Sequence, residues 1–231
     1  MNAIYRATAA LLLSSVALPA LAADLPSMMA APLAPAYAAP SPWMVRVRAL
    51  AVLPQSSASV TAGGAYVVGG SLKASDSIVP ELDISYFFTK NIAAELILGV
   101  TPHRVKGAGT LAGLGTIGSA LLLPPTLLLQ YHFTDFGAFK PYVGAGVNYT
   151  FMLDNKAKGP MSSFHVKDAP GLALQIGFDY MIDQHWGINF DVKKLWLRPD
   201  ATATIAVGTV PVTAKFKLDP WLIGTGVTYR F

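Results

Sequence analysis

The ionisable residues whose spacing is worth chemical attention fall early in the chain. Arg46 and Arg48 are followed by Glu81 and Asp83, and then by Glu95. In an extended segment, residues two apart share a face, so the first two pairs each present two like charges to one side. If those faces are turned away from water, the cations and carboxylates must pair with one another, because an unpaired buried charge is costly. Such a set has two uses. It can fill an interior as a structural network, or it can form a polar constriction that stops ions and diverts apolar solutes.

Catalytic and metal chemistry have weaker footing. Ser162-Ser163-Phe164-His165 with nearby Asp168 supplies the residue types of a hydrolase. A triad is defined by geometry and not by closeness in sequence, so no catalytic residue is assigned and the chain is not read as an enzyme. His103, His132 and His185 are isolated from one another and lack metal-ligand spacing. Gly107-Ala108-Gly109-Thr110-Leu111-Ala112 fits a relaxed dinucleotide fingerprint, but no acidic residue follows before Asp135. Neither cofactor nor metal is expected. Cysteine is absent, which excludes disulfides and thiolate sites. The 17 basic residues against 13 acidic ones form no run, which argues against nucleic acid as a partner.

The elements that position the charges show a period of two. Trp43, Val45, Val47, Ala49, Ala51 and Leu53 share one face, and Arg46 and Arg48 lie on the other. Leu82, Ile84, Tyr86 and Phe88 oppose Glu81, Asp83 and Ser85, while Ala94, Leu96 and Leu98 oppose Glu95. The pattern recurs over 127–133, 143–151, 172–180, 186–192 and 221–231, giving eight strands. Short polar turns at 89–91, 134–138 and 181–185 alternate with longer segments at 56–77, 103–120, 154–168 and 198–217, all read as loops, the last with the character of a projecting hairpin. Five glycines between 107 and 118, followed by Pro124-Pro125, exclude a spanning helix there despite the absence of charge over 107–131.

Aromatic residues decide which face meets lipid. Phe88, Phe133, Tyr180 and Phe231 recur at intervals of 45, 47 and 51 residues (88 to 133, 133 to 180, 180 to 231), each closing an aromatic-x-aromatic triplet. If the short turns lie at one end, Trp43, Tyr86, Phe88, Tyr131, Phe133, Phe178, Tyr180, Trp186, Tyr229 and Phe231 gather at that rim on the apolar face. A soluble core has no need of such a ring; a membrane interface does. Charged residues make up 13% of the chain and hydrophobic ones 53%, as a lipid-facing surface requires. The expected fold is an all-β, eight-stranded antiparallel transmembrane β-barrel over 43–231. It is preceded by a signal peptide (1–22, with Arg6 and the Ala20-Leu21-Ala22 cleavage pattern) and an Ala/Pro-rich periplasmic spacer (23–42). Leu111, Leu114, Ile117, Leu121, Leu122 and Leu123 form either the mouth of a hydrophobic passage or packing over the top of the barrel.

Several stretches resemble the OmpW family of small outer-membrane proteins. They are Pro80-Glu81-Leu82-Asp83-Ile84-Ser85-Tyr86-Phe87-Phe88-Thr89-Lys90-Asn91, Leu123-Pro124-Pro125-Thr126, Lys140-Pro141-Tyr142-Val143-Gly144-Ala145-Gly146-Val147-Asn148-Tyr149 and Leu218-Asp219-Pro220-Trp221. The resemblance implies location in the bacterial outer membrane, with short periplasmic turns and longer extracellular loops. It further implies a narrow passage for small hydrophobic solutes, with sideways release into the bilayer. A non-conducting structural or surface-interaction barrel acting through its extracellular loops is the competing reading. The expected partners are outer-membrane lipid, the solute, and the barrel-assembly machinery with periplasmic chaperones, for which the terminal Phe231 resembles the recognition signal.

Overall fold

The computed structural model describes residues 41–231; the expected signal peptide and spacer lie outside the described residues. Eight strands form the barrel: β1 (Trp43–Leu53), β2 (Ser77–Phe87), β3 (Ile92–Gly99), β4 (Thr126–His132), β5 (Phe139–Ala157), β6 (Ala169–Met181), β7 (Trp186–Leu197) and β8 (Trp221–Arg230). Each pairs antiparallel with its sequence neighbours. β8 returns to β1, from Met44 opposite Arg230 to Leu53 opposite Trp221, so no edge strand remains. Closure is what lets strands cross lipid, because every backbone donor and acceptor is then used within the barrel.

Side-chain alternation sets inside and outside. On β1, Met44, Arg46, Arg48, Leu50 and Val52 are buried in the lumen, while Trp43, Val45, Val47, Ala49, Ala51 and Leu53 face outwards. The lumen is too narrow for large residues on every strand. A Cβ on Gly177 would sit 2.6 Å from Asp191 Cβ and 2.7 Å from the Tyr142 ring, and one on Gly226 would meet the Val47 carbonyl oxygen at 2.1 Å. Small inward residues therefore make room for the larger ones opposite.

Beyond the membrane strands the chain does not break into loops, which corrects the sequence reading of three segments. The stretch expected as an apolar loop at 103–120 is a hairpin of Thr101–Gly109 and Thr116–Leu123, tipped by a 3-10 turn at Ala112–Leu114. The stretch at 56–77 contains strands Ser57–Ala62, Ala65–Tyr66 and Gly70–Ala74. Within 154–168, β5 runs on to Ala157 and Met161–Val166 is a further strand. Asp200–Ile205 and Val210–Lys217 form the projecting hairpin expected at 198–217. These segments assemble into two sheets. One has the order 161–166, 200–205, 210–217, 57–62, 65–66; the other joins the end of β5 to 116–123, 101–109 and 70–74.

Polarity inverts between the two halves. In the extension the inward residues are apolar: Val60, Leu72, Val105, Ile117, Leu122, Met161, Phe164 and Phe216 make one buried cluster. Its outward residues include Arg104, Lys106, Lys156 and Lys215. The membrane half is apolar outside and keeps its charges inside, because its surroundings are lipid; the extension is apolar inside and carries its charges outside, because its surroundings are water.

Candidate functional site

The inward-facing charges form a floor across the lumen near the turn end. Arg46, fully buried, binds Asp179 through Nε (2.9 Å) and Nη2 (2.6 Å), and its Nη1 lies 2.5 Å from Glu95. Arg46 also donates to Ser85 Oγ at 3.2 Å. One turn of the alternation higher, Arg48 lies 2.5 Å from Asp83, 2.9 Å from Glu81 and 2.5 Å from Asp191. Lys193 completes this upper layer, 3.1 Å from both Glu81 and Asp191. Gln175 ties the layers together, donating to Glu95 (3.0 Å) and Asp191 (2.6 Å), and Gln130 donates to Glu95 at 2.8 Å. The Arg46 guanidinium also packs over Tyr142, 4.9 Å from the ring centre.

All five charges singled out from the sequence lie in this network; Arg48 pairs with Glu81 and Asp83 of the adjacent strand, whereas Arg46 does not pair with that strand's carboxylates. Arg46 stands opposite Asp83 in register, yet its guanidinium reaches across the lumen to Asp179 on β6 and Glu95 on β3. A long side chain in a narrow barrel is not confined to its adjacent strand. Asp83 makes close charge contact with Arg48 but has no aligned hydrogen bond on either oxygen. Asp179, Asp191 and Lys193 were not among the expected site residues. Their signal was present, since each sits on the polar face of an alternating strand.

Above the floor the lumen turns apolar. Leu50, Val52, Val79, Ile97, Leu128, Ala173, Leu195 and Leu222 form a buried ring. Three small cavities lie along the interior. The one directly above the charges holds ≈ 50 Å³ and is bounded by Leu50, Glu81, Ile97, Gly99, Pro124 and Lys193. The next, ≈ 20 Å³, shares His103, Leu122 and Leu218 with it. The outermost, ≈ 40 Å³, is lined by Leu111, Leu114, Ile117, Met161 and Phe164 among others. Of the six residues expected at a hydrophobic mouth, Ile117 and Leu122 are buried in the core of the extension and Leu111 and Leu114 pack against it. Leu121 and Leu123 alternate with them and lie on the opposite face of their strand.

The expected rim aromatics stand on the outer face at the turn end. Trp43 and Tyr86 meet edge-on at 4.9 Å, Tyr86 and Phe88 at 5.4 Å, Tyr131 and Phe133 at 5.0 Å, Trp186 and Tyr229 at 4.7 Å, and Tyr229 and Phe231 at 4.8 Å. Edge-on pairs add about 0.5–1.5 kcal/mol each beyond their buried area. Phe178 packs on Phe139 at 5.1 Å, and Tyr180 is exposed on the same side. Arg230 lies over the buried Phe87 ring at 4.5 Å, on the lumen side of the mouth. A second ring was not read from the sequence: Tyr149, Phe151, Trp196 and Trp221 are also outward-facing. Trp186 and Trp196 lie ten residues apart on β7, which for a tilted strand separates the rings by about 25 Å, the height of a lipid-facing band.

A closed antiparallel barrel with an apolar belt between two aromatic rings and a polar floor inside is the architecture of an outer-membrane β-barrel protein. The chain belongs to the OmpW family, whose model matches residues 42–231. It is 53% identical over 227 residues to an uncharacterized outer-membrane protein, y4mB, of Sinorhizobium fredii, covering 98% of this chain and 96% of that one. It is 36% identical to the outer membrane protein AlkL of Ectopseudomonas oleovorans, over 73% of this chain and 75% of that one. Among solved structures, OprG from Pseudomonas aeruginosa superposes with a TM-score of 0.76 at 29% identity, covering 83% of this chain and 97% of that one. The AlkL structure in lipid bilayers gives 0.67 at 31% identity, covering 86% and 95%. The protein is accordingly placed in the bacterial outer membrane, with its short turns on the periplasmic side.

Proposed function

We propose that the barrel passes small hydrophobic molecules from the extracellular side and releases them sideways into the membrane. The observation that carries this reading is an interrupted strand pair at the bottom of the apolar lumen. The β3–β4 ladder runs from Ile92 opposite Tyr131 to Ile97 opposite Thr126. Pairing resumes only with Thr101 opposite Leu122. In the interval, Pro124 and Pro125 have no N–H to offer β3, and their carbonyls accept from Asn148 of β5 at 3.1 and 3.2 Å. The cavity above the floor reaches this interval from inside at Ile97, Gly99 and Pro124. A lipid-facing groove reaches it from outside at Leu96, Pro125 and Leu127.

The physical sequence is then simple. An apolar solute enters the extension, where the lining costs it no desolvation. It meets the charged floor, where it would displace paired ions without replacing their contacts. The weak backbone seam beside it opens onto lipid, which solvates the molecule as well as the lumen does. The interior cavities, at ≈ 20 to ≈ 50 Å³, are smaller than the roughly 150 Å³ that an apolar cavity needs to hold benzene, so the lumen must widen as the solute moves.

Gly99 offers the test. A Cβ there makes only ordinary contacts, 3.5 Å from the Pro80 oxygen and 3.9 Å from Glu81 Cα, so the backbone accepts a side chain. The ring of Gly99→Phe, larger than the ≈ 50 Å³ cavity, would occupy it by displacing lumen side chains as a passing solute must. In cells with equal amounts of folded barrel, Gly99→Phe is expected to reduce uptake of an apolar tracer to the level without the protein. Unchanged uptake in Gly99→Phe would remove the sideways exit from this position.

A further inference from the structure

Three cations meet on the lipid-facing side of the barrel at the level of the outer aromatic ring. Lys194 lies with its Nζ 4.9 Å from the Trp221 ring centre, donating to Gln55 Oε1 at 3.0 Å and to the Asp219 carbonyl. Arg198 Nη2 and Lys217 Nζ approach Asp219 Oδ2 only loosely, at 3.8 and 3.6 Å. Asp219 is itself committed inwards: it is 5% exposed and its Oδ1 accepts the Leu197 N–H at 3.0 Å. Three cations against one carboxylate leave a formal excess of +2 (3 − 1). Arg198 and Lys217 are 66% and 53% exposed, so that excess is turned outwards.

Unbalanced cations on a lipid-facing surface are tolerated near an interface and disfavoured deeper in the apolar band. Their placement beside Trp196 and Trp221 puts them at headgroup height. The surface below them is shaped as well. One concave apolar strip runs past Leu174, Ile176 and Val192 and ends at Lys194, Trp196 and Trp221. A second passes Leu127 and Leu172 and ends at Trp196 and Arg198. Trp196 is the ridge shared by both.

We propose that Lys194, Arg198 and Lys217 form a binding site for the phosphorylated headgroup of an outer-leaflet glycolipid, with acyl chains laid in the two strips either side of Trp196. The charge complement is that of a phosphate monoester, to which Arg198 offers a planar fork and the two lysines point charges. The paired strips below one headgroup match a lipid with several chains. Such a lipid would brace the outside of β7 and β8 where they leave the membrane. The second strip runs on to the outer face of the β3–β4 seam at Leu127, but the three cations stand beyond it, on and after β7 and before β8, and the test of the headgroup site does not depend on transport.

Native mass spectrometry of the full-length protein released from detergent with added lipid A reads the site directly. Wild type should retain bisphosphorylated lipid A at least tenfold more strongly than the dephosphorylated lipid. Arg198→Glu with Lys217→Glu should lose that preference, while heat-modifiable gel mobility shows that the barrel is folded. Lys194→Gln, a milder change, should reduce retention without abolishing it. Equal retention of the two lipids by wild type, or undiminished retention by the double variant, would overturn the site. Equal binding of phosphatidylglycerol would overturn its assignment to a glycolipid.

Discussion

Removing Arg46 tests how the floor is held together. Its guanidinium is shared by Asp179, gripped by two hydrogen bonds of 2.9 and 2.6 Å, and Glu95 at 2.5 Å. Arg46→Ala leaves both carboxylates facing an empty space in a lumen where neither is more than 2% exposed. Deleting one partner of a buried pair costs about 3–5 kcal/mol, chiefly through the charge left unpaired. With a urea dependence of about 2 kcal/mol per molar, the unfolding midpoint in lipid vesicles should fall by roughly 1.5–2.5 M. Adding Glu95→Gln and Asp179→Asn removes the stranded charges. Both amides keep partners, since Gln130 and Gln175 donate to Glu95 and Asn189 donates to Asp179. The triple variant should therefore recover most of the loss. Tryptophan fluorescence against urea reads both numbers. A loss under about 1 kcal/mol in Arg46→Ala, or a triple variant less stable than the single one, would refute the view that unpaired charge, and not lost packing, dominates this site.

Gly177→Ala should destabilise by about 1–3 kcal/mol, the usual cost of overpacking, because the new methyl meets Asp191 Cβ and the Tyr142 ring at 2.6 and 2.7 Å; the same urea titration checks it. At the periplasmic turn, Asp183 accepts the N–H groups of Trp186 and His185, both at 2.7 Å, and these bonds, Trp186 first, hold its carboxyl below the ordinary 3.8. A depressed pKa in the folded state means that the turn is stabilised at neutral pH and loses this support only as pH falls below that value; amide shifts of His185 and Trp186 followed by NMR should move with a midpoint under 3.8. Deleting Phe231, which completes the edge-on chain from Trp186 through Tyr229, should lower the folded fraction in the outer membrane while the molecules that do fold take up tracer normally.

The membrane strands were legible because lipid outside and a narrow polar lumen inside impose opposite demands on alternate residues. Trp43 to Leu53 carries that code residue by residue. The floor was half legible. Arg46, Arg48, Glu81, Asp83 and Glu95 lie on neighbouring strands, but Asp179 and Asp191 meet their arginines from more than 130 positions away. Local alternation says only that they face inwards, and closure of the barrel decides whom they meet. Apart from the hairpin at 198–217, the extension escaped the sequence reading for a different reason. There the same period of two runs with its sense reversed, as in Phe164 and Val166 buried on either side of exposed His165, and a register shift after Met161 interrupts it. Glycines and single charges then looked like loop composition. Trp196 and Trp221 were missed as a second ring because no turn lies beside them to mark their height.

An apolar passage above a closed charged floor should admit apolar solutes and stop polar ones. Its most direct test is the initial uptake rate of an apolar tracer against that of a polar tracer of equal size, in cells with and without this protein. The protein should accelerate the apolar tracer and leave the polar one at background. Equal acceleration of both would mean an open aqueous pore through the floor, and acceleration of neither would mean a barrel that conducts nothing; either result contradicts it.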